Sequence, residues 1–250
     1  MFKIALNAGH GLYTAGKRCL KALDPNETRE WKLNARICEK IESKLKAYTG
    51  YELIRLDDTT GKTDVALKTR TNKANDWDAD FYLALHHNAV DPKAYTNVNG
   101  IKCLNGGGIV AIVYTKASEK SEEWQKALYD SLIKHTGLKG NRSTPLAKMN
   151  LHEVRESNMP AVLLELGFMD SAQDVPVILS EEYADKCATA IVEVLAQKGG
   201  LTKKQTQTTT QPTAGKLYRV QVGAYRNREN AEKLQQELKK AGYNSFIVEV

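Results

Sequence analysis

Residues 81–88 read Phe-Tyr-Leu-Ala-Leu-His-His-Asn, an apolar run that ends in two histidines. Successive residues of a strand point to opposite faces of a sheet, so this run predicts a strand with Phe81, Leu83 and Leu85 on one face. Tyr82, Ala84 and His86 then share the other face. Two histidines after such a run are hard to explain as core residues, and neutral imidazole is a common metal ligand. The stretch therefore predicts a strand whose end carries function.

Similar short apolar runs lie on both sides of this stretch, at residues 2–6, 51–56, 109–114 and 161–165. Between and after them, apolar residues recur at helical spacing in three stripes: Leu33, Ile37, Ile41 and Leu45; Trp124, Leu128 and Leu132; and Tyr183, Cys187, Ile191 and Leu195. Alternating strands and helices predict an α/β domain with a mostly parallel or mixed sheet flanked by helices. Ligands of such folds collect at the carboxyl ends of the strands.

The chain of 250 residues divides at a change of composition. Residues 198–216 are rich in Thr, Gln and Gly and have few large apolar side chains, so we expect a flexible linker. It separates a catalytic-sized domain, 1–197, from a short unit, 217–250. In that unit residues 217–225 alternate like a strand, 230–241 have a helical pattern, and 245–250 predict a second strand, which together make a small βαβ module.

Charge, cysteine content and apolar runs indicate the kind of partner, the state of the thiols and the place of synthesis. The net charge of +6 and the isoelectric point near 9.0 favour an anionic partner, although a solvated basic surface would give the same numbers. The four cysteines are scattered without a CxxC pair, which argues against a thiolate zinc site and for reduced, buried thiols. The N-terminal apolar run is too short for a signal peptide, and no apolar run reaches membrane-spanning length. We therefore expect synthesis in the cytoplasm and no membrane anchor.

Polar residues follow three of the predicted strands: His10 after the first, His86 at the end of 81–86, and Glu165 at the end of 161–165. Two histidines and a carboxylate at one sheet edge are a metal-like set. Alternatives remain for each residue. His10 alone could be an ordinary surface histidine, and Glu165 could pair with a structural arginine, Arg70 or Arg155. A further acidic residue, Glu30 or Glu27, lies near the start of the 31–45 helix, where either could simply favour the helix dipole.

Two other motifs are misleading. Residues 11–17 have the GxxxxGK spacing of a phosphate-binding loop, but Arg18 replaces the hydroxyl residue that should follow, and residues 24–26 interrupt the expected helix. His152-Glu153 begins an HExxH-like zinc motif in which Glu156 stands where the second histidine belongs. We expect this second segment to be a loop near the substrate cleft.

Taken together, several motifs closely resemble the zinc-dependent N-acetylmuramoyl-L-alanine amidases of bacteria and their phages, over about residues 1–196. The motifs are Asn-Ala-Gly-His-Gly at 7–11, Glu-Trp-Lys-Leu-Asn at 30–34, Arg70 with Ala74-Asn75, His-His-Asn-Ala at 86–89, and Pro-Ala-Val-Leu-Leu-Glu-Leu-Gly-Phe at 160–168. The resemblance implies that His10, Glu30 and His86 bind one zinc ion and that Glu165 is the catalytic carboxylate. It implies hydrolysis of the amide bond between N-acetylmuramic acid and L-alanine in peptidoglycan.

The sequence departs from the family pattern in the motifs themselves. Asn7-Ala8 stands where the family has Asp-Pro, which could alter support of the metal. His87 is an extra histidine beside His86, and Glu27 remains a reserve for Glu30. The closest enzymatic alternative is a zinc peptidase that cuts within the stem peptide; a non-catalytic peptidoglycan-binding protein is another.

The Val-Gln-Val-Gly-Ala-Tyr run at 220–225 resembles a SPOR module, which binds peptidoglycan, but only its first βαβ half. About 34 residues rarely form an independent core, so we expect two chains to pair through this unit. We expect peptidoglycan as the partner, with no role for nucleic acid. Without a signal peptide, the chain is expected to be a phage endolysin that reaches the cell wall after release.

Overall fold

The computed structural model of the chain describes residues 1–204, 221–243 and 245–249. It divides into two compact units, Met1–Lys204 and Gln205–Val250. The first unit contains a six-stranded sheet in the order β3-β1-β4-β9-β7-β8. These strands are β1 (Phe2–Ala8), β3 (Tyr51–Arg55), β4 (Phe81–Asn88), β7 (Ile109–Val113), β8 (Leu146–Lys148) and β9 (Ala161–Phe168).

The sheet is mostly parallel. Strands β3, β1, β4 and β9 run in one direction, whereas β7 pairs antiparallel with β9 and β8 runs parallel to β7. The carboxyl ends of β1, β3, β4 and β9 therefore meet at one edge. This confirms the predicted α/β sheet, with the strands at 81–86 and 161–165 each continuing two or three residues further than predicted.

Three long helices cover one face of the sheet: α1 (Glu30–Leu45), α3 (Glu119–Thr136) and α6 (Glu181–Gly199). Each has its predicted apolar stripe buried, because those residues pack in one cluster with Phe81, Leu83 and Leu85. The opposite face carries a second cluster that includes Tyr82 and Ala84. There α2 (Leu67–Asp76) contributes Ala74 and α4 (His152–Arg155) contributes Val154. Alternate residues of 81–85 therefore pack into two different hydrophobic cores, one on each face of the sheet.

Shorter elements complete this unit. β5 (Thr96–Val98) and β6 (Ile101–Cys103) form a hairpin, and α5 (Val175–Ile178) precedes α6. α6 ends at Gly199, and β10 (Thr202–Lys203) pairs with β2 (Tyr48–Thr49). The first unit consequently extends past residue 197, into the segment predicted as a linker. The rest of that segment, 205–216, lies outside the described residues.

In the second unit, helix α7 (Arg228–Lys240) coincides with the predicted 230–241 helix. The described parts of the two predicted strands, 221–225 and 245–249, lie in no strand; residues 217–220 and 250 are not described. Several of its apolar side chains are exposed: Val222, Tyr225, Tyr243, Ile247 and Val248.

All four cysteines lie in the described part of the chain and are buried, unpaired thiols, as expected. Burial raises the pKa of Cys19 and Cys187 to about 12, which keeps both sulfurs protonated. Among the described helices, none is long and apolar enough to cross a membrane.

Candidate active site

Three side chains converge at the sheet edge where β1 and β4 end: His10, Glu30 and His86. One ligand atom from each lies within 4.8 Å of the others. Glu30 Oε2 is 3.4 Å from His10 Nε2, and Glu30 Oε1 is 3.0 Å from His86 Nδ1. The two imidazole rings are nearly perpendicular, with their centroids 5.0 Å apart. The fold therefore brings together residues that are distant in the sequence, since His10 and His86 are 76 positions apart.

The backbone of residues 9–11 makes this convergence possible. His10 has a φ of 66°, the left-handed region that non-glycine residues rarely adopt, and such strain is common at functional sites. A Cβ at Gly9 would overlap the imidazole of His86. The glycine thus lets the end of β1 approach β4 closely, and the strained turn aims His10 at Glu30.

Glu30 is the first residue of α1, yet its position does more than favour the helix dipole. Its side chain is 1% exposed, and Oε1 accepts a hydrogen bond from the backbone N–H of His87. Burial alone would raise the pKa of Glu30, but the hydrogen bond with His86 and the charges of His86, His10 and Lys17 outweigh it and lower the pKa to about 2. Glu30 Oε2 makes no hydrogen bond with any described residue.

The two histidines of the cluster differ in their electrostatics. Burial lowers the pKa of His10 to about 4, so this imidazole is neutral near pH 7. Burial also acts to lower the pKa of His86, but hydrogen bonds and charges from Glu153 and Glu30 outweigh it and raise the pKa to about 10. His86 is held between two carboxylates, which is an environment that also suits a cation.

Glu165 lies on β9 directly opposite His86 on β4. It is partly exposed, and its Oε2 atom is enclosed without a hydrogen bond to any described residue. Burial of the carboxyl raises its pKa to about 8. The alternative that Glu165 pairs with a structural arginine is wrong. Arg70 instead binds Asp64 and Asn7, and Arg155 binds Glu156 and Asn150.

Glu27 and His87, the alternatives to Glu30 and His86, make other contacts. Glu27 forms an ion pair with Arg18, at 3.0 Å. His87 is buried with Nδ1 2.8 Å from Asn34 Oδ1, and burial lowers its pKa to about 3. Neither belongs to the cluster that the described residues form.

The interpretation of residues 11–17 as a phosphate-binding loop is excluded by the fold, since α1 begins only at Glu30. Lys17 of that motif instead lies at the site, with Nζ 3.8 Å from Glu30 Oε2. This places a positive charge beside the Glu30 carboxylate, which the sequence connected with metal binding or with the helix dipole.

Sequence reasoning missed the role of position 153. The segment expected to be a loop is the short helix α4, and Glu153 is 4% exposed. Its Oε2 atom is 3.3 Å from His86 Nε2, and its Oε1 atom accepts hydrogen bonds from Asn7 and Tyr82. The available signal was an acidic residue that directly precedes Val154 and lies two positions after Leu151, which the incomplete zinc motif obscured.

Comparison with known proteins identifies the relatives of this chain. Residues 4–197 match the protein family described as N-acetylmuramoyl-L-alanine amidase. The chain belongs to the N-acetylmuramoyl-L-alanine amidase family. It is an enzyme of this class, which hydrolyses the amide bond between N-acetylmuramic acid and L-alanine in peptidoglycan. Residues 187–249 match the SPOR domain, which indicates a second contribution to peptidoglycan binding.

Individual relatives agree with this assignment. The N-acetylmuramoyl-L-alanine amidase CwlM of Bacillus licheniformis is 26% identical over 248 residues, which cover 99% of this chain and 85% of that protein. The sporulation-specific amidase of Bacillus subtilis strain 168 is 27% identical over 249 residues, with the same two coverages. The crystal structure of an N-acetylmuramoyl-L-alanine amidase from Clostridium difficile 630 superposes with a TM-score of 0.65 at 26% identity, covering 78% of this amidase and 95% of that chain.

Proposed function

We propose that this amidase holds one zinc ion between His10, Glu30 and His86. The observation that carries the proposal is the meeting of one ligand atom from each of these residues within 4.8 Å of the others. Glu30 Oε2 also makes no hydrogen bond with a described residue, and a cation at this point would coordinate it more closely than Lys17 does at 3.8 Å. Two imidazoles and a carboxylate are also a ligand set typical of catalytic zinc sites.

We propose Glu165 as the proton carrier of the reaction. Zinc, when bound at such a site, polarises the amide carbonyl and lowers the pKa of water toward neutrality. Glu165 takes a proton from the attacking water as the water oxygen bonds to the lactyl carbonyl carbon. It then gives that proton to the alanine nitrogen as the C–N bond breaks. Without metal, burial raises the pKa of Glu165 to about 8; the positive charge of a bound zinc would lower that pKa and leave the carboxylate ionised, so that it can accept the proton and hold it between the two steps.

The test combines metal analysis with product analysis. Pure, active protein should contain about one zinc per chain, and a chelator should abolish wall lysis until zinc is added back. Mass spectrometry of digested walls should show new amino groups on L-alanine and intact lactyl-muramic acid. Activity that survives complete metal removal would refute the zinc site. Cleavage inside the stem peptide would instead favour the zinc peptidase alternative.

We further propose that the first unit is the catalytic domain, that the linker predicted at 198–216 begins only after β10, and that 217–250 are a half-module that pairs with a second copy of the chain. The exposed apolar side chains of the second unit support pairing, because a partner would cover Val222, Ile247 and Val248.

Sedimentation of the full chain over a range of concentrations tests the pairing. The chain should sediment as a dimer, and Val222→Glu should shift it toward monomer because a charge would enter the apolar contact. Gln236→Glu is the matched control, since it adds the same charge at an exposed position of α7. A wild-type chain that stays monomeric at all concentrations would contradict the proposal.

The expected biological setting, a phage endolysin acting on the wall after release, stays a prediction. Lysis of susceptible cells when the amidase is expressed together with a membrane-permeabilising protein, but not alone, would support it.

A further inference from the structure

Glu153 contacts His86, a residue of the candidate zinc site, on the side of the imidazole ring that faces away from Glu30. Its Oε2 atom lies 3.3 Å from His86 Nε2, on the side of the imidazole opposite the contact between Nδ1 and Glu30. Its Oε1 atom accepts hydrogen bonds from the Tyr82 hydroxyl at 2.7 Å and from the Asn7 amide at 2.5 Å. Oε1 therefore faces two hydrogen-bond donors, which is the environment of an ionised carboxylate, and Oε2 faces an imidazole nitrogen that can donate to it only when that nitrogen carries a proton.

The orientation of the Asn7 amide follows from a second buried residue, Arg70. Arg70 Nη1 lies 2.8 Å from Asn7 Oδ1, and a guanidinium only donates hydrogen bonds. The oxygen of the amide must therefore face Arg70, and its NH₂ group must face Glu153. An aspartate at position 7 could not donate this bond and would place a second carboxylate against Glu153.

From these contacts we propose that Glu153 is a positioning residue that fixes His86 with its proton on Nε2 and its Nδ1 lone pair toward the metal. We propose also that Asn7, whose amide donates to Glu153 and accepts from Arg70, is the partner that Glu153 requires. The inference rests on the proposed zinc site. Hydrogen bonds from a metal-binding histidine to an outer carboxylate orient the ring and strengthen it as a ligand. Here the carboxylate comes from α4 and the neutral amide from β1.

Three variants test the proposal: Glu153→Gln, Asn7→Asp, and the double variant. Glutamine at position 153 brings an NH₂ group against the Asn7 amide or against His86 Nε2–H, so zinc affinity should fall by about 10- to 100-fold. Asn7→Asp should also weaken binding, because two carboxylates then meet. In the double variant, the new carboxylate at position 7 accepts a hydrogen bond from the new amide at position 153. The oxygen of that amide accepts from His86, so most of the affinity should return.

Zinc dissociation constants come from competition with a chromophoric chelator, and thermal unfolding of the zinc-free proteins monitors the fold. Glu156→Gln is the matched control, because it makes the same change three residues further along, at an exposed carboxylate that pairs with Arg155; its affinity should stay within about threefold of wild type. Wild-type affinity in Glu153→Gln, or additive losses in the double variant, would overturn the proposal. A wild-type chain that binds no zinc would refute the proposed metal site instead.

A measurement on the wild type keeps the proposal testable if the variants do not fold. Long-range ¹H–¹⁵N NMR correlations of the zinc-loaded chain should show His86 protonated at Nε2 and metal-bound at Nδ1. The reverse assignment would exclude the role given to Glu153.

Discussion

His86 and Glu165 are register partners on the adjacent parallel strands β4 and β9. Neighbouring residues of this kind project to the same face of a sheet. The proposed metal ligand and the proposed proton carrier are thus held by two of the best-buried strands in the molecule rather than by mobile loops. The register of β4 and β9 shifts immediately after this pair, between His86 and Asn88. The arrangement fixes the separation of the two groups through the backbone itself.

Glu165→Gln should abolish wall lysis and leave bound zinc unchanged. The amide fills the same space but cannot carry a proton, and loss of such a group typically costs about 10²- to 10⁴-fold in rate. Lysis assays and metal analysis on the same preparation check this. Loss of both activity and zinc would make Glu165 a ligand instead.

Glu30→Gln should lose zinc affinity by more than the roughly 10- to 100-fold expected for an outer hydrogen-bonding partner. The substitution removes an anionic donor from the centre of the cluster. Glu27→Gln is the matched control, because Glu27 pairs with Arg18 outside the cluster. Equal zinc binding by the two variants, measured by chelator competition, would contradict the ligand assignment.

Gly9→Ala should lower activity by about 100-fold, since the added methyl group overlaps the His86 ring and displaces it. Gly16→Ala in the same loop meets open space, although its φ of 74° is unfavourable for alanine. That control should lose about 1–2 kcal/mol of stability and keep its activity. Steady-state rates and thermal unfolding of both variants make the comparison. Normal activity in Gly9→Ala would show that the ring tolerates a shift.

The stability of the zinc-free amidase should depend on pH through Glu165. Its pKa is raised to about 8 in the folded chain, from an ordinary value of 4.5. Below about pH 4.5 both folded and unfolded states hold the proton, and no difference arises. As the pH rises toward 8, the unfolded chain releases the proton more readily, so the free energy of unfolding falls.

Glu165→Gln lacks this titration and should therefore become more stable than wild type as the pH rises from about 4.5 to 8. Urea unfolding of both proteins in excess chelator measures the difference. A stability difference that stays constant over this range would show that Glu165 is not perturbed by burial.

The periodic part of the sequence predicted the first unit well. Strand alternation at residues 81–86 and the helical stripes of α1, α3 and α6 were confirmed, because burial of one face imposes a period on the chain that remains visible in the sequence. The antiparallel pairing of β7 with β9 was not predicted, since strand direction depends on connections rather than on residue type. The described parts of the strands predicted at 217–225 and 245–250 show the same limit, because alternation of residue types records a tendency and not a pairing.

By itself, the sequence determined that histidines and carboxylates follow apolar strands, and its motifs determined the family. Local chemistry and spacing suffice for that, as each motif lies within a few residues. Only the tertiary structure decided that Glu153, 67 positions from His86, supports the same ring, and that Glu27 and His87 do not join the cluster. Such contacts join elements that are distant along the chain. Their geometry follows from how β1, β4, α1 and α4 pack, which no single segment of sequence encodes.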